Sequence, residues 1–323
     1  MTTLRGARVL VTGGAGVVGS TLVDALVGHE PAEIVVLDDF SRGLEENLTA
    51  ARAGARAPLT VVEGDVRDRA LVETVTDGVD VVFHQAAIRL PHCVRDPRLA
   101  LEVMVDGTFN VIDAARTHGV SRLVVASSAS IYGSATEFPI EESHDPYGNR
   151  TLYGAAKLFG EGLLRSYHES YGLDYVALRY FNVYGPRMDA HTAYTEVLVR
   201  WLQRIDDGLS PVIDGAGDQT MDFVYVGDVA RANVLAATSD ATDDVFNIAS
   251  GTETSLDALA HALLAATGSD LAVEYGPPRA VAAVERRLAA THHARDGLGF
   301  ETEVDLAEGL ARLVAWWRAR AAS

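Results

Sequence analysis

Val9-Leu10-Val11-Thr12-Gly13-Gly14-Ala15-Gly16-Val17-Val18-Gly19 is the stretch on which the reading of the fold turns. The apolar run at 9–11 has the pattern of a buried parallel strand. Glycines follow at 13, 16 and 19, and a helical apolar pattern then runs through Leu22, Val23, Leu26 and Val27. A strand, a glycine turn and a helix start, in that order, let a pyrophosphate approach the free N–H groups of Val17, Val18 and their neighbours. Glycine is required where a side chain would block that approach. A lone glycine set is also compatible with an ordinary tight turn, so the surrounding sequence has to decide.

The surrounding sequence favours a dinucleotide site. Ile34-Val35-Val36-Leu37-Asp38-Asp39 reads as a second strand that ends in carboxylates, roughly 20 residues beyond the glycines. A carboxylate there accepts from both hydroxyls of an adenosine ribose and repels a 2′-phosphate, so Asp38, beside Asp39, argues for NAD over NADP. Arg42 close by weakens that exclusion. Further strand patterns at 59–63, 80–84 and 123–126 are followed by Gly64-Asp65-Val66, by Gln85-Ala86-Ala87 and by Ser127-Ser128-Ala129-Ser130. A long helix is expected from about 97 to 118. Strands alternating with helices imply an α/β fold with a doubly wound parallel sheet, whose ligands bind at the carboxyl ends of the strands.

Tyr153-Gly154-Ala155-Ala156-Lys157 opens a second candidate for chemistry, on a helix expected to reach about Tyr171. Residues four apart share a helix face, so Tyr153 and Lys157 point the same way. A lysine cation beside a phenol favours the phenolate, which makes the pair a general acid/base for a hydroxyl proton. The same spacing occurs by chance on many solvated helices, and its weight comes from the glycine turn and the strand-end serines around it.

Composition narrows the partners. The chain has 323 residues, 48% hydrophobic, enough for a large core. Its net charge is 27 − 45 = −18, which argues against nucleic-acid and anionic-membrane surfaces. Any anionic ligand has to be held by local cations and helix N-termini. A single cysteine, Cys93, excludes an internal disulfide and a CxxC-type metal site, and no metal is expected. Residues 1–8 lead into the first strand without a signal-peptide pattern, and no apolar run approaches the ~20 residues of a membrane span. The expected location is cytoplasmic.

In the C-terminal half the alternation weakens. Helices are expected at about 193–205, 228–237, 256–266 and 305–320, with short strands at 211–213, 223–226 and 245–248, and Ser255 as a helix cap. The strand at 223–226 and the helix after it are expected to return to the main sheet. Trp201, Trp316 and Trp317 read as core or dimer packing. The expected division is a dinucleotide-binding Rossmann domain, residues 1–185 plus about 218–250, and a smaller mixed α/β substrate lobe, about 186–217 plus 251–323.

The pieces together resemble the extended short-chain dehydrogenase/reductase family, and within it the nucleotide-sugar epimerases. The resemblance rests on TGGAGVVG at 12–19, LDDFSRG at 37–43, GDVRD at 64–68, FHQAA at 83–87, SSASIYG at 127–133, YGAAK at 153–157, RYFNVYGPR at 179–187 and DFVYVGDVARA at 222–232. It implies Tyr153 as base, Lys157 as its partner and nicotinamide-ribose contact, and Ser128 as the catalytic hydroxyl. For NAD it implies Gly13, Gly16, Val17, Val18, Gly19, Asp38, Asp39, Arg42, Asp65, Val66, Gln85, Ala86, Ala87, Arg89, Ala126, Tyr180 and Val183. For the substrate it implies Ser128, Ser130, Tyr153 and Asn182.

The chain departs from its relatives at Met221, where many epimerases carry an arginine on the nucleotide diphosphate, and at Met104, where many carry an asparagine. Arg187, Arg279 and Arg89 are the candidate replacements for the missing cation. The expected activity is NAD-dependent epimerisation of a nucleotide-diphosphate hexose at C4, of the UDP-glucose/UDP-galactose type, through a transient 4-keto sugar. The alternatives are a uronic-acid epimerase or decarboxylase, a 4-keto-sugar reductase, or a non-catalytic NAD sensor. Ala129-Ser130 stands where 4,6-dehydratases usually carry Asp-Glu, which argues against elimination of water. The stretch 188–192 offers no cation for a sugar carboxylate, so a neutral hexose is expected, with His191 read as an exposed loop residue. A homodimer through a helix pair is implied by the resemblance alone.

Overall fold

The computed structural model describes residues 2–189, 196–277 and 284–321. Strands β1 (Arg8–Thr12), β2 (Glu33–Asp38), β3 (Leu59–Glu63), β4 (Val81–His84), β5 (Arg122–Ser128) and β6 (Tyr175–Tyr180) are built early in the chain. The short β7 (Asn182–Tyr184), β8 (Val212–Asp214) and β9 (Thr220–Tyr225) follow. After them come β10 (Asp244–Ile248), β11 (Glu253–Ser255) and β12 (Glu274–Gly276). Seven strands form one sheet in the order β10-β6-β5-β4-β1-β2-β3, and every pairing is parallel. The fold is thus a Rossmann-type doubly wound sheet, with additional small sheets.

Alternate residues of each strand serve opposite faces. Val9 and Val11 pack under α1 (Val17–Val27) and the helix Val226–Thr238. Leu10, Val35, Val82 and Leu123 pack under the helices Thr108–Thr117 and Leu152–Tyr171. Burial on both faces is why these strands read as continuous apolar runs. Strand order reverses between β1 and β4, where Thr12 lies opposite His84. Such a reversal opens a crevice at the carboxyl ends of the strands. The Gly13 turn and Gln85-Ala86-Ala87 both leave the sheet there.

A second core gathers Tyr184, Trp201, Leu202, Leu259, Leu263, Leu310, Leu313 and Trp317. It joins the helices Val197–Asp206, Leu256–Thr267 and Leu306–Ala321 to two small sheets, β11-β9-β7 and β12-β8. Ser255 caps its helix as expected, its hydroxyl accepting from Ala258 N at 3.0 Å. Among the described residues no helix is long and apolar enough to cross a membrane.

Two expectations are corrected. The strand at 223–226 does not return to the main sheet: β9 pairs with β7 and β11. Its anchor is Asp222, fully buried, whose carboxylate accepts from Ser250 N and Oγ at 2.7 Å each, Gly251 N at 2.9 Å and Ala289 N at 3.3 Å. Those donors tie β9 to the segments at 250–251 and 289 rather than to the sheet edge, where β10 closes instead. The helix 97–118 is also broken, into Pro97–Leu101, a widened π turn Glu102–Gly107 and Thr108–Thr117. The widened turn passes the loop after β3 at close range. A Cβ on Gly107 would lie 2.7 Å from Val66 Cγ2, and Asn110 Nδ2 donates to Val66 O at 3.0 Å.

Candidate active site

A cavity of about 280 Å³ opens at the carboxyl ends of β1, β2 and β4. Its wall contains Gly13, Gly16, Val17, Val18, Gly19, Asp38, Asp39, Arg42, Asp65, Val66, Gln85, Ala86, Ala87 and Arg89. Gly13 and Gly19 are sterically required. Gly13 has φ +68, and a Cβ there would stand 2.6 Å from Ala86 N. A Cβ on Gly19 would stand 2.1 Å from Gly13 O. Gly16 starts α1 with no side chain across the helix end, which leaves the N–H groups of the first turn facing the cavity wall, as a diphosphate requires.

Asp38 is built into this turn. Its Oδ2 accepts from Ala15 N at 2.8 Å and its Oδ1 from Phe40 N at 2.9 Å. Burial pushes its carboxyl up from the ordinary range, and the two backbone bonds pull it back. Each carboxylate oxygen keeps a second acceptor site for a ribose hydroxyl. Arg42 is bound by Asp189 and lies 3.3 Å from His92 Nδ1, so its charge is matched within the chain.

A second cavity, about 790 Å³, adjoins the first and shares Val18, Gln85, Ala87, Arg89 and Val183 with it. Its wall holds Ala126, Ser128, Ser130, Tyr153, Lys157, Tyr180 and Asn182. Ser128 ends β5, and its Oγ accepts from Ser130 N at 3.1 Å. Thr151 caps the helix Leu152–Tyr171, so Tyr153 and Lys157 occupy its first two turns. Lys157 Nζ donates to Ala126 O at 2.6 Å and stands 6.0 Å from the Tyr153 ring centroid.

Burial dominates both ionisations. It pushes the Tyr153 phenol up to about 12, against the opposing hydrogen bond with Ser128 and the nearby charge of Arg89. It pushes the Lys157 ammonium down to about 8. Desolvation thus outweighs the downward pull on Tyr153, which comes from Ser128 and Arg89 rather than from the lysine expected to exert it.

The remaining candidates are distributed less tidily. Arg187 faces the first cavity; it pairs with Asp24 at 2.6 Å and donates to Ser20 Oγ at 3.2 Å. Arg279 and His191 lie outside the described residues. Arg89 borders both cavities, with Nη1 3.3 Å from Glu196 Oε1. Tyr180 is held by a ring of bonds in which its hydroxyl donates to Gln85 Oε1 at 3.0 Å and accepts from Asn233 Nδ2 at 2.8 Å. Met221 lines the second cavity. Trp201 is buried and lines it too, whereas Trp316 edges the first cavity.

The sequence pattern over residues 9–249 decides the family, because it matches the NAD dependent epimerase/dehydratase family. The chain belongs to that family. It is 37% identical over 316 residues to a UDP-glucose 4-epimerase of Mycolicibacterium smegmatis, covering 96% of this chain and 98% of that protein. It is 35% identical over 319 residues to a dTDP-glucose 4,6-dehydratase of Streptomyces griseus, covering 96% and 94%. Its fold superposes with a TM-score of 0.91 on a UDP-N-acetylglucosamine 4-epimerase from Methanobrevibacter ruminantium M1, solved with UDP-N-acetylmuramic acid. That structure is 34% identical, with 98% of this chain and 99% of that chain covered. As a member of an NAD-dependent family, the chain has a first cavity whose glycine cradle and Asp38 fit the dinucleotide.

Several residues that shape this family member's site escaped the sequence reading. Glu161 lies one turn beyond Lys157, and its carboxylate takes the Ser127 hydroxyl together with Arg179 Nε at 2.9 Å and Nη2 at 2.6 Å. Arg179 Nη1 continues to Tyr132 OH at 2.9 Å, which donates to Asn247 Oδ1 at 2.6 Å. This buried network locks the end of β5 to the helix Leu152–Tyr171. The i, i+4 spacing from Lys157 to Glu161 was its only local signal. His84, fully enclosed, bonds Thr12 Oγ1 at 2.7 Å and Thr108 Oγ1 at 3.1 Å. Burial drives its pKa down to about 3, so it is a neutral brace between the two central strands. Arg287 lines the second cavity and was not anticipated at all.

Proposed function

We propose that the chain epimerises a nucleotide-diphosphate hexose at C4, with a transient 4-keto sugar, and that the nucleotide is UDP. The observation that carries this reading is the grouping of Ser128, Tyr153 and Lys157 on the wall of a cavity that shares Val18, Gln85 and Ala87 with the dinucleotide cavity. Ala129-Ser130 after Ser128 supports epimerisation over dehydration, because a second acid/base pair for eliminating water is missing there. Relatives named as 4-epimerases support the same choice, while a relative named as a dehydratase keeps the exact reaction a matter for experiment.

NAD, when bound, supplies a reversible hydride acceptor. The chain's own residues manage the proton and the sugar. Tyr153 accepts the C4 hydroxyl proton and later returns it. The Ser128 hydrogen bond and the nearby Arg89 charge oppose the desolvation that holds the phenol near 12. Ser128 holds the C4 oxygen as it changes from hydroxyl to carbonyl. The second cavity, about 790 Å³, leaves a hexose room to turn about its diphosphate link, which presents the opposite face at C4. We also propose a homodimer through the adjoining helices that carry the exposed Phe109 and Phe159.

The test is incubation of the purified protein with UDP-hexoses without added cofactor, followed by NMR. Interconversion of a C4 epimer pair supports the reading. Stoichiometric consumption of added NADH would instead indicate a reductase, and NAD retention with no sugar converted would indicate a sensor.

A further inference from the structure

Among the described residues Arg287 is a cation without an anion. It is buried, at 8% exposure, and its Nη1 donates to Ala129 O. Its backbone N–H bonds Thr220 O at 2.9 Å, which pins the segment beside β9. Among the described residues it has no carboxylate partner and no other hydrogen bond from its side chain. It forms part of the wall of the second cavity, together with Ser128 and Ser130. A guanidinium taken out of water with one carbonyl as its sole partner recovers little of its desolvation cost. Burial accordingly lowers its pKa to about 10, with only the Tyr132 phenol opposing. The missing anion has one obvious place to come from, which is the cavity.

The position indicates which part of the ligand meets it. Arg287 is fixed to the carbonyl of the residue that follows Ser128. Ser128 and Tyr153 must reach the C4 oxygen, on the reading above. The C6 substituent sits on the carbon next to C4, whereas the diphosphate leaves C1 across the ring. We propose that Arg287 binds a carboxylate at C6, so that the substrate is a nucleotide-linked hexuronate. This deepens the C4 reading and rests on it. It also revises the expectation of a neutral hexose, which considered cations only in the 188–192 stretch. Arg287 arrives from 158 residues beyond Ala129. The protein's net charge of −18 disfavours an additional negative charge on the ligand, so a preference for the acid sugar has to come from a local cation.

The test is calorimetric titration of NAD-loaded protein with UDP-glucuronate, UDP-glucose and UDP. The wild type is expected to bind UDP-glucuronate about 10- to 100-fold more tightly than UDP-glucose, the range of one charge-assisted bidentate contact. Arg287→Met is expected to abolish that ratio and Arg287→Lys to keep part of it. Equal wild-type affinities for the two sugars overturn the proposal, and that comparison requires no variant to fold. Equal weakening of UDP and both sugars in Arg287→Met also overturns it, by assigning the cation to the diphosphate. Turnover, followed by NMR, separates the two readings. Tight UDP-glucuronate binding without C4 conversion faults the epimerase reading and leaves Arg287 as the carboxylate contact. Conversion of UDP-glucose with equal affinities faults only the Arg287 proposal.

Discussion

Replacing Lys157 by methionine should make the cofactor-free protein more stable while destroying its activity. Burial lowers the ammonium from 10.5 to about 8. Tenfold in proton affinity is about 1.4 kcal/mol, so keeping this charge at pH 7 costs the folded protein about 3 kcal/mol. Methionine has a similar length and carries no charge, but it gives up the charge-assisted bond to Ala126 O, worth about 2 kcal/mol net. The expected gain is about 1 kcal/mol, read as a higher urea midpoint at pH 7. The pH dependence is specific. Between the folded pKa and the unfolded one the unfolded chain binds more protons, so wild-type stability rises with pH across that window. The variant's advantage should therefore be full below pH 8 and fade as the pH climbs from about 8 to about 10.4. A wild type more stable than the variant at pH 7, or an advantage that does not shrink at high pH, would refute the reasoning. Turnover should fall by orders of magnitude in the same variant, because Tyr153 loses its neighbouring cation.

Three other substitutions test separate parts of the account. Tyr153→Phe should retain bound NAD and lose about 10²- to 10⁴-fold in turnover, the range of a general acid/base; protein-bound nucleotide and initial rates measure the two effects. Gly13→Ala should lose the dinucleotide, since its Cβ would stand 2.6 Å from Ala86 N at a φ of +68; nucleotide released on denaturation is the readout. Glu161→Gln leaves Arg179, 8% exposed, without its carboxylate, and should lower unfolding free energy by about 3–5 kcal/mol in urea titration.

What could be read from the sequence was what short-range pattern encodes. The turn at 12–19 is a local object: strand, positive-φ glycine and helix start all fall within a few residues, and their order states their purpose. The same holds for Asp38 at a strand end, and for Tyr153 and Lys157 on one helix face. The helix limits near Tyr171 and the Ser255 cap were legible for that reason. What was hidden depends on contacts between distant segments. β9 looks like a sheet strand in isolation, and only the donors around Asp222, from 250, 251 and 289, hold it in the small sheet. The break at Glu102–Gly107 follows from the packing of Gly107 on Val66. Arg187, one of the candidate cations for the diphosphate, lines the first cavity, where its pairing with Asp24 on α1 could not be read from the sequence. The Arg179–Glu161 pair and Arg287 become visible only when β5, β6, the helix Leu152–Tyr171 and the segment beside β9 are brought together in the fold.

The most direct measurement is the fate of deuterium placed at C4. A UDP-sugar carrying deuterium on that carbon is incubated with the enzyme in ordinary water, without added cofactor, and the epimer formed is examined by NMR. The account predicts an inverted C4 that still carries its deuterium, because hydride leaves and returns within one closed site while only the hydroxyl proton passes through Tyr153. Deuterium lost to solvent, or inversion at another carbon with C4 untouched, would contradict it.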